Sequence, residues 1–210
     1  MFRLSELEND ALIEIFNIGV GRAAASMSTI VNEMVRMSVP SIRFVPRAEA
    51  GRLLGASQVT QERICGISQH YAGAFETEAI LMFPEDKSLE IVRLMVGEAV
   101  PLKELTEMEQ EAMCEIGNIM LNACVGTLAN IFQRELQGSL PRYHVGTSDQ
   151  ILSATSTGDQ ADSVVLMLHI DFVLERHQIH GYVAFVLAIA ALHDLKHQIG
   201  LYIARAMGQG

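Results

Sequence analysis

No cluster of Lys or Arg occurs anywhere in this sequence, and its 15 basic residues are outnumbered by 25 acidic ones, for a net charge of -10 at pH 7. Binding to a phosphate backbone needs grouped cations. Nucleic acid is therefore excluded as the partner, whereas a protein with a basic patch is not. Trp is absent, and the three cysteines are an odd number. Cys114 and Cys124 fall ten residues apart on one predicted helix, ~15 Å along its axis, too far for a disulfide. Reduced thiols and a cytoplasmic location follow as expectations. No apolar run approaches the ~20 residues that span a bilayer; the longest, YVAFVLAIAAL at 182–192, reads as a buried strand running into a helix. The opening MFRLSELEND is acidic and lacks the apolar segment of a signal peptide. Phosphate-loop, dinucleotide and nucleophile-elbow fingerprints are also missing. The Gly19-Val20-Gly21 run lies inside a predicted helix, where it serves packing rather than a phosphate cradle.

Half of the 210 residues are hydrophobic and 19% are charged, a globular composition with enough chain for one large domain or two small ones. The 11 methionines fall mostly among apolar helical positions and read as core filler. The dominant feature is a repeat. SELENDALIEIFNIGVGRAAA at 5–25 returns as TEMEQEAMCEIGNIMLNACVG at 106–126, so that Glu14 and Asn17 recur as Glu115 and Asn118, and Pro40 recurs as Pro141. One constant offset identifies two copies of one structural unit.

Ser5 and Glu8 form a capping box that starts the first helix, with Leu4 available as a staple. Leu7, Ala11, Leu12, Ile15 and Ile18 keep a helical period. Gly19 and Gly21 cost ~1 kcal/mol each in a helix interior, which close approach of another backbone offsets. The helix is expected to run on past Met34 and to stop before Pro40, with a short strand at 41–45 and a weakly patterned loop with at most a short helix at 46–62. Strands follow at 63–71 and 74–83, then a helix at 85–96 between Pro84 and Gly97. A short apolar linker at 98–105 leads to the second copy. It begins with a capping box at Thr106 and Glu109, carries a long helix, then Pro141 and a short strand at 143–145. A polar loop at 146–162, strands at 163–174 and 179–187, and a last helix at 192–207 complete it. A two-stranded hairpin is not stable alone. The expected fold is therefore α+β: one domain over 1–210, built from two pseudo-two-fold repeats (1–100 and 101–210), with one mainly antiparallel sheet covered by long helices.

Glu14 and Asn17 stand three residues apart, so both side chains share a helix face, as do Glu115 and Asn118. Asp10 lies one turn earlier on the first face, with Glu111 as its counterpart. The opposite side of each helix is apolar, so the polar stripe faces solvent. A single such stripe would be an ordinary solvated face; its repetition with the same downstream proline favours a contact surface. Asn has no titratable group and cannot act as general base, but its carboxamide can position a water. That suits attack on a phosphoryl group, where positioning dominates. Glu can pair with a partner's Lys or Arg. Such a pair makes most sense inserted into another protein's site.

On these residues the sequence resembles the CheC/CheX/FliY family of chemotaxis phosphatases, whose signature is Asp/Ser-x3-Glu-x2-Asn-x22-Pro. Asp10, Glu14, Asn17 and Pro40 match it fully; Glu115, Asn118 and Pro141 match with Glu111 at the first position. Two motifs on a chain of this size are closest to CheC; CheX carries one, and FliY carries a further domain. The resemblance implies a phosphoaspartate phosphatase with catalytic residues Glu14, Asn17, Glu115 and Asn118. Asn positions the attacking water, and Glu pairs with the Lys of a CheY-type response regulator. It implies no cofactor or metal of its own, with Mg²⁺ on the bound regulator. It also implies a second partner, the receptor deamidase CheD, and neither nucleic acid nor membrane insertion. The competing reading is a non-catalytic adaptor for the same regulator or for CheD. A hydrolase using Glu14 and Glu115 together is a third reading and needs the two carboxylates within about 5–10 Å.

Among the remaining candidates, His193 and His197 have the four-residue spacing of zinc ligands but no third ligand in view, and read as surface residues. His177 and His180 read as turn and edge residues. His70 and His169 read as satisfied or solvent-facing strand residues, and Cys65, Cys114 and Cys124 as small core residues.

Overall fold

The computed structural model describes residues 2–56, 63–73, 76–96, 102–133, 135–154, 163–174 and 177–208. In chain order the elements are α1 (Glu6–Val31), β1 (Val35–Pro46), α2 (Arg47–Ala56), β2 (Ile64–Gly73), β3 (Thr77–Pro84), α3 (Glu85–Val96), α4 (Leu102–Phe132), β4 (Leu136–Gly138), β5 (Arg142–Gly146), α5 (Ser148–Ala154), β6 (Val164–Leu174), β7 (His177–Leu187) and α6 (Ile189–Ala206). The expected α+β architecture holds. One seven-stranded sheet runs β1-β6-β7-β3-β2-β4, with β5 also paired to β2, and its ladders are antiparallel.

The order is a palindrome of the two repeats. The first strand of each repeat pairs with the hairpin of the other: β1 lies on β6, and β4 and β5 lie on β2. Even the register repeats. Val35 faces Leu174 as Leu136 faces Gly73, and Val45 faces Val165 as Gly146 faces Ile64. The hairpins meet where β3 pairs with β7, Leu81 opposite Val183. The second hairpin is one residue longer, since Tyr71 pairs with Thr77 but Phe172 with Ile179.

Alternation of side chains divides the sheet into two faces. The inner face packs Ile67, Tyr71, Leu81, Phe83, Leu168, Phe172 and Phe185 against α1, α3, α4 and α6 in one continuous core. The outer face has a smaller cluster, in which Val45, Ile64, Ile80, Met82 and Val165 meet Ala50 of α2 and Ile151 and Leu152 of α5. One stretch of α4, Met108–Ile131, is long and apolar enough to cross a membrane by length and composition alone; half of it is buried within the protein, which makes it the core helix.

Several sequence expectations need correction. α1 ends at Val31 rather than before Pro40, because Asn32 takes the left-handed conformation (φ 53°). Asn tolerates that conformation well. Gln133 closes α4 in the same way (φ 51°). Pro40 therefore stops no helix. It sits inside β1 at a bulge between Ser38 and Ser41. An edge strand tolerates the missing N–H, and the extra residue lets Val35, Val39 and Ile42 all turn inward. In the second repeat the strand breaks at the same place, into β4 and β5, and β4 went unforeseen. The polar loop expected at 146–162 begins as α5, whose Ser148, Ile151 and Leu152 are buried; 155–162 lie outside the described residues.

The second helix starts at Leu102, so 102–105 are helical rather than linker. The side chain of Thr106 lies outside the described residues, but Glu109 now sits within the helix and accepts hydrogen bonds from the hydroxyls of Tyr143 and Ser88. The first capping box forms as expected, Ser5 with Glu8. Those bonds, the backbone N–H of Ser5 foremost, hold the Glu8 carboxyl below its usual pKa. Leu7 and Ile18, assigned to the apolar stripe of α1, are exposed.

Only one of the two helix glycines is needed for close approach. A Cβ at Gly19 would stand 2.5 Å from Thr127 Oγ1 and 3.1 Å from the Ala123 carbonyl of α4, whereas at Gly21 it would meet nothing. Gly19→Ala should therefore destabilise the protein by about 1–3 kcal/mol through overpacking. Gly21→Ala should stabilise it by about 1 kcal/mol through helix propensity. The two urea midpoints should move in opposite directions.

Candidate functional site

Each motif helix lies on the inner face of the sheet and shows its acidic residues to solvent. Asp10 and Glu14 on α1 are exposed, as are Glu111 and Glu115 on α4, while Asn17 and Asn118 are half-buried. The structure brings Glu and Asn of each motif onto one face, as the three-residue spacing requires. It does not bring the two motifs together. Asn17 is bonded to β1, one edge of the sheet, and Asn118 to β2 on the far side. Four strand spacings separate β1 from β2, roughly 19 Å. The two-carboxylate hydrolase finds no support in that layout.

Near the first motif, the bulge at Pro40 turns the backbone of Val39 towards α1. The Val39 N–H donates to Asn17 Oδ1 at 2.8 Å, and Asn17 Nδ2 reaches the Val39 carbonyl at 3.5 Å. The spacing from Asn to Pro thus has a physical meaning, since the residue before the proline clamps the carboxamide. The inner face of β6, the strand beside β1, is apolar. Ile170 and Phe172 of β6 are fully buried, and Phe16 between the motif residues stacks on Phe185 at 5.8 Å.

At the second motif the same positions hold different chemistry. Gln69 and Tyr71 of β2 stand where the first site has Ile170 and Phe172 of β6, and Asn122 stands where it has Gly21. Asn118 Oδ1 accepts from Gln69 Nε2 at 3.2 Å and from Asn122 Nδ2 at 2.8 Å. Gln69 Nε2 also donates to the Ser139 carbonyl at 2.9 Å, and the Tyr71 hydroxyl lies 2.9 Å from Gln69 Oε1 and 3.0 Å from Asn122 Oδ1. Leu140, the counterpart of Val39, is 85% exposed against 1% for Val39. Gly117, where repeat one has Phe16, lets Ile67 of β2 press against the helix. One carboxamide oxygen is therefore held by a single backbone N–H, and the other by two side-chain amides. This network was missed by sequence reasoning. The signal was present as Gln and Tyr in a strand whose repeat carries Ile and Phe, but it needs the inner face to be known first.

The other candidates fall out as follows. All three cysteines are free. Burial pushes the thiols of Cys65 and Cys124 up to about 12, so neither is a nucleophile near neutral pH. His193 and His197 are exposed on α6, as expected. His180 is not an edge residue; it lies on the interior strand β7, with Nδ1 2.7 Å from Asp171 Oδ1. His70 and His169 are partly solvent-facing, at 35% and 31% side-chain exposure, each with one ring nitrogen turned to a carboxylate, Glu78 and Asp171. His70 Nδ1 and His169 Nε2 are both shielded from solvent without a hydrogen-bond partner.

The fold and the paired helices bearing Glu-x-x-Asn define a class, that of proteins built like the CheC phosphatases. No family model matches the chain. The flagellar motor switch phosphatase FliY of Bacillus subtilis is 28% identical over 185 residues, 79% of this chain and 47% of FliY. The CheY-P phosphatase CheC of the same organism is 24% identical over 153 residues, 71% of this chain and 72% of CheC. The crystal structure of Thermotoga maritima FliY superposes with a TM-score of 0.71 at 20% identity, covering 95% of this chain and 98% of that one. The chain is thus similar in sequence to FliY and CheC and in fold to FliY, and it spans about half the length of B. subtilis FliY.

Gln69 can be tested apart from any activity. Gln69→Leu leaves the Ser139 carbonyl without its side-chain donor, while the Tyr71 hydroxyl keeps Asn122 Oδ1, and should cost about 1–3 kcal/mol. Ile170→Leu, at the matching position of β6, changes shape alone and should cost under about 1.5 kcal/mol. Denaturant midpoints of the two variants give the comparison.

Proposed function

We propose that this protein hydrolyses the phosphoaspartate of a CheY-type response regulator, and that the first motif is the stronger of its two sites. The observation that carries the reading is the duplicated Glu-x-x-Asn face, exposed at Glu and half-buried at Asn on both α1 and α4. Similarity to proteins named as a CheY-P phosphatase and a motor switch phosphatase supports it. In this mechanism the motif helix docks over the regulator's phosphorylation site. Glu14 pairs with a lysine there, and Asn17 holds a water in line with phosphorus. The water oxygen bonds to phosphorus as the bond to the aspartyl oxygen breaks, giving inorganic phosphate and a free carboxylate. The regulator supplies the aspartate and the Mg²⁺ that carries the developing charge, so the chain contributes position rather than acid–base chemistry.

The inequality of the sites follows from lone pairs. A carboxamide oxygen has two. One on Asn17 Oδ1 accepts from Val39, and the other remains to accept a hydrogen bond from the water, leaving both of the water's lone pairs free, one of them to attack. On Asn118 Oδ1 both are engaged, by Gln69 and Asn122. Its Nδ2 can still donate to one of the water's two lone pairs, but its oxygen has no lone pair left to accept from the water and so to fix which way the water points. Glu111 adds a methylene where the first motif has Asp10.

Decay of phosphorylated regulator in the presence of Mg²⁺ tests this. Asn17→Ala should remove most of the acceleration, on the order of 100-fold as expected for lost positioning. Asn118→Ala should remove a minor part, and the double variant should be inactive. Equal losses in the single variants would overturn the ranking. Tight binding of the phosphorylated regulator with no acceleration by the unmodified protein would establish the adaptor reading instead.

A further inference from the structure

On the outer face of the sheet, away from both motif helices, His169, Asp171 and His180 offer three ligand atoms that all lie within 4.8 Å of one another. We propose that they form a binding site for a divalent transition metal of the zinc class. His169 and Asp171 alternate on β6 and so share a face, and His180 stands directly opposite Asp171 on β7. β6 is paired with both β1 and β7 at His169 and Asp171, and His180 is held on β7 by its pairing with Asp171, two residues beyond the end of the β3 ladder at Tyr182. His180 Nδ1 is 2.7 Å from Asp171 Oδ1, and His169 Nε2 is 3.8 Å from the same oxygen. Zinc arms of about 2.0–2.1 Å set ligand separations of ~3.3 Å in a tetrahedron. The first distance has to open and the second to close by about half an ångström each. All three side chains are partly open, at 31%, 27% and 39% exposure. An ion can therefore enter, and the fourth position is left to water.

The plain alternative is an Asp171–His180 ion pair with His169 as a bystander. That pair leaves His169 Nε2 shielded from solvent with no hydrogen-bond partner, whereas a metal satisfies all three groups at once. Imidazole with one carboxylate suits zinc, nickel or cobalt better than magnesium or calcium. Tyr182, opposite His169 on β7, stacks on its ring at 5.2 Å and fixes its plane. The first repeat provides an internal contrast. Its matching positions hold Ser68, His70 and Glu78, only two of which are strong ligands, and Ser68 Oγ is already bonded to His144 Nε2 at 3.0 Å.

Chelator-stripped protein without a histidine tag, freed of chelator, should bind one equivalent of Zn²⁺ against a chromophoric competitor. Co²⁺ should then give the visible bands of a low-symmetry imidazole site. His169→Gln and His180→Gln, each checked for fold by circular dichroism, should weaken Zn²⁺ binding by more than the ~10–100-fold that loss of an outer-shell partner costs. His193→Ala with His197→Ala should leave it unchanged. The proposal is overturned if the intact protein fails to bind Zn²⁺, if binding survives both Gln variants, or if it disappears with the α6 histidines.

Discussion

The pairing of β3 with β7 is the interaction on which the rest depends. Neither hairpin is stable alone. Their antiparallel contact, centred on Leu81 and Val183, makes one sheet of two repeats and creates the surface that the four long helices cover. The repeats are further tied by exchange, since β1 completes the hairpin of the second repeat while β4 and β5 complete that of the first. Each first strand is thereby held at the edge farthest from the opposite repeat's own first strand. The two motif helices inherit that separation, and it sets two sites at opposite edges instead of one shared cleft.

Within that frame the two sites differ more in packing than in their motif residues, of which only Asp10 and Glu111 differ. Glu and Asn are identical in both. What differs lies behind them: Phe16 stacked on Phe185 in one case, Gly117 against Ile67 in the other. The matching strand positions carry buried, apolar Ile170 and Phe172 in one case and, in the other, Gln69 and Tyr71, which join Asn122 in a network with Asn118. A buried amide needs partners, so once Gln69 faced inward the oxygen of Asn118 became one of its acceptors. The same oxygen in repeat one meets only a backbone N–H. The conformational freedom of the strand follows suit. Val39 stays buried with its N–H on Asn17, while Leu140, released from that duty, points into solvent.

Much of this was legible from the residues, and the limits have physical causes. The 101-residue offset in Glu14, Asn17 and Pro40 was strong enough to predict two units, their hairpins and the α+β class, because hydrophobic periodicity survives duplication. The helix 85–96, framed by Pro84 and Gly97, was found at its observed bounds. Three kinds of feature were not legible. A left-handed residue such as Asn32 ends a helix without changing its apolar period, so α1 was extended too far. A short amphipathic helix such as α5 has too few turns for its buried Ile151 and Leu152 to stand out from a polar segment. Cross-repeat pairing leaves no local mark at all. Only after β2 was seen beside β4 and β5 could Gln69 be connected to Asn118.

The outer face shows what duplication leaves free. Inner positions are fixed by contact with helices, and there a change such as Phe16 to Gly117 forces a compensating move of Ile67. Outer positions beyond the reach of α2 and α5 have no such helix neighbour, and there the repeats carry different polar groups: Ser68, His70 and Glu78 against His169, Asp171 and His180. An acid and a histidine face each other across both hairpins, but on exchanged strands. In the first pair burial dominates and raises the pKa of Glu78, so its ionisation opposes folding. That penalty is absent below the carboxylate's ordinary range and grows as pH rises through its elevated value. In the second pair Asp171 is more open to water, and a second histidine stands in place of serine. The same backbone thus holds a strained carboxylate in one repeat and a half-open cluster of three ligands in the other. The difference rests on side chains that the core never had to accommodate.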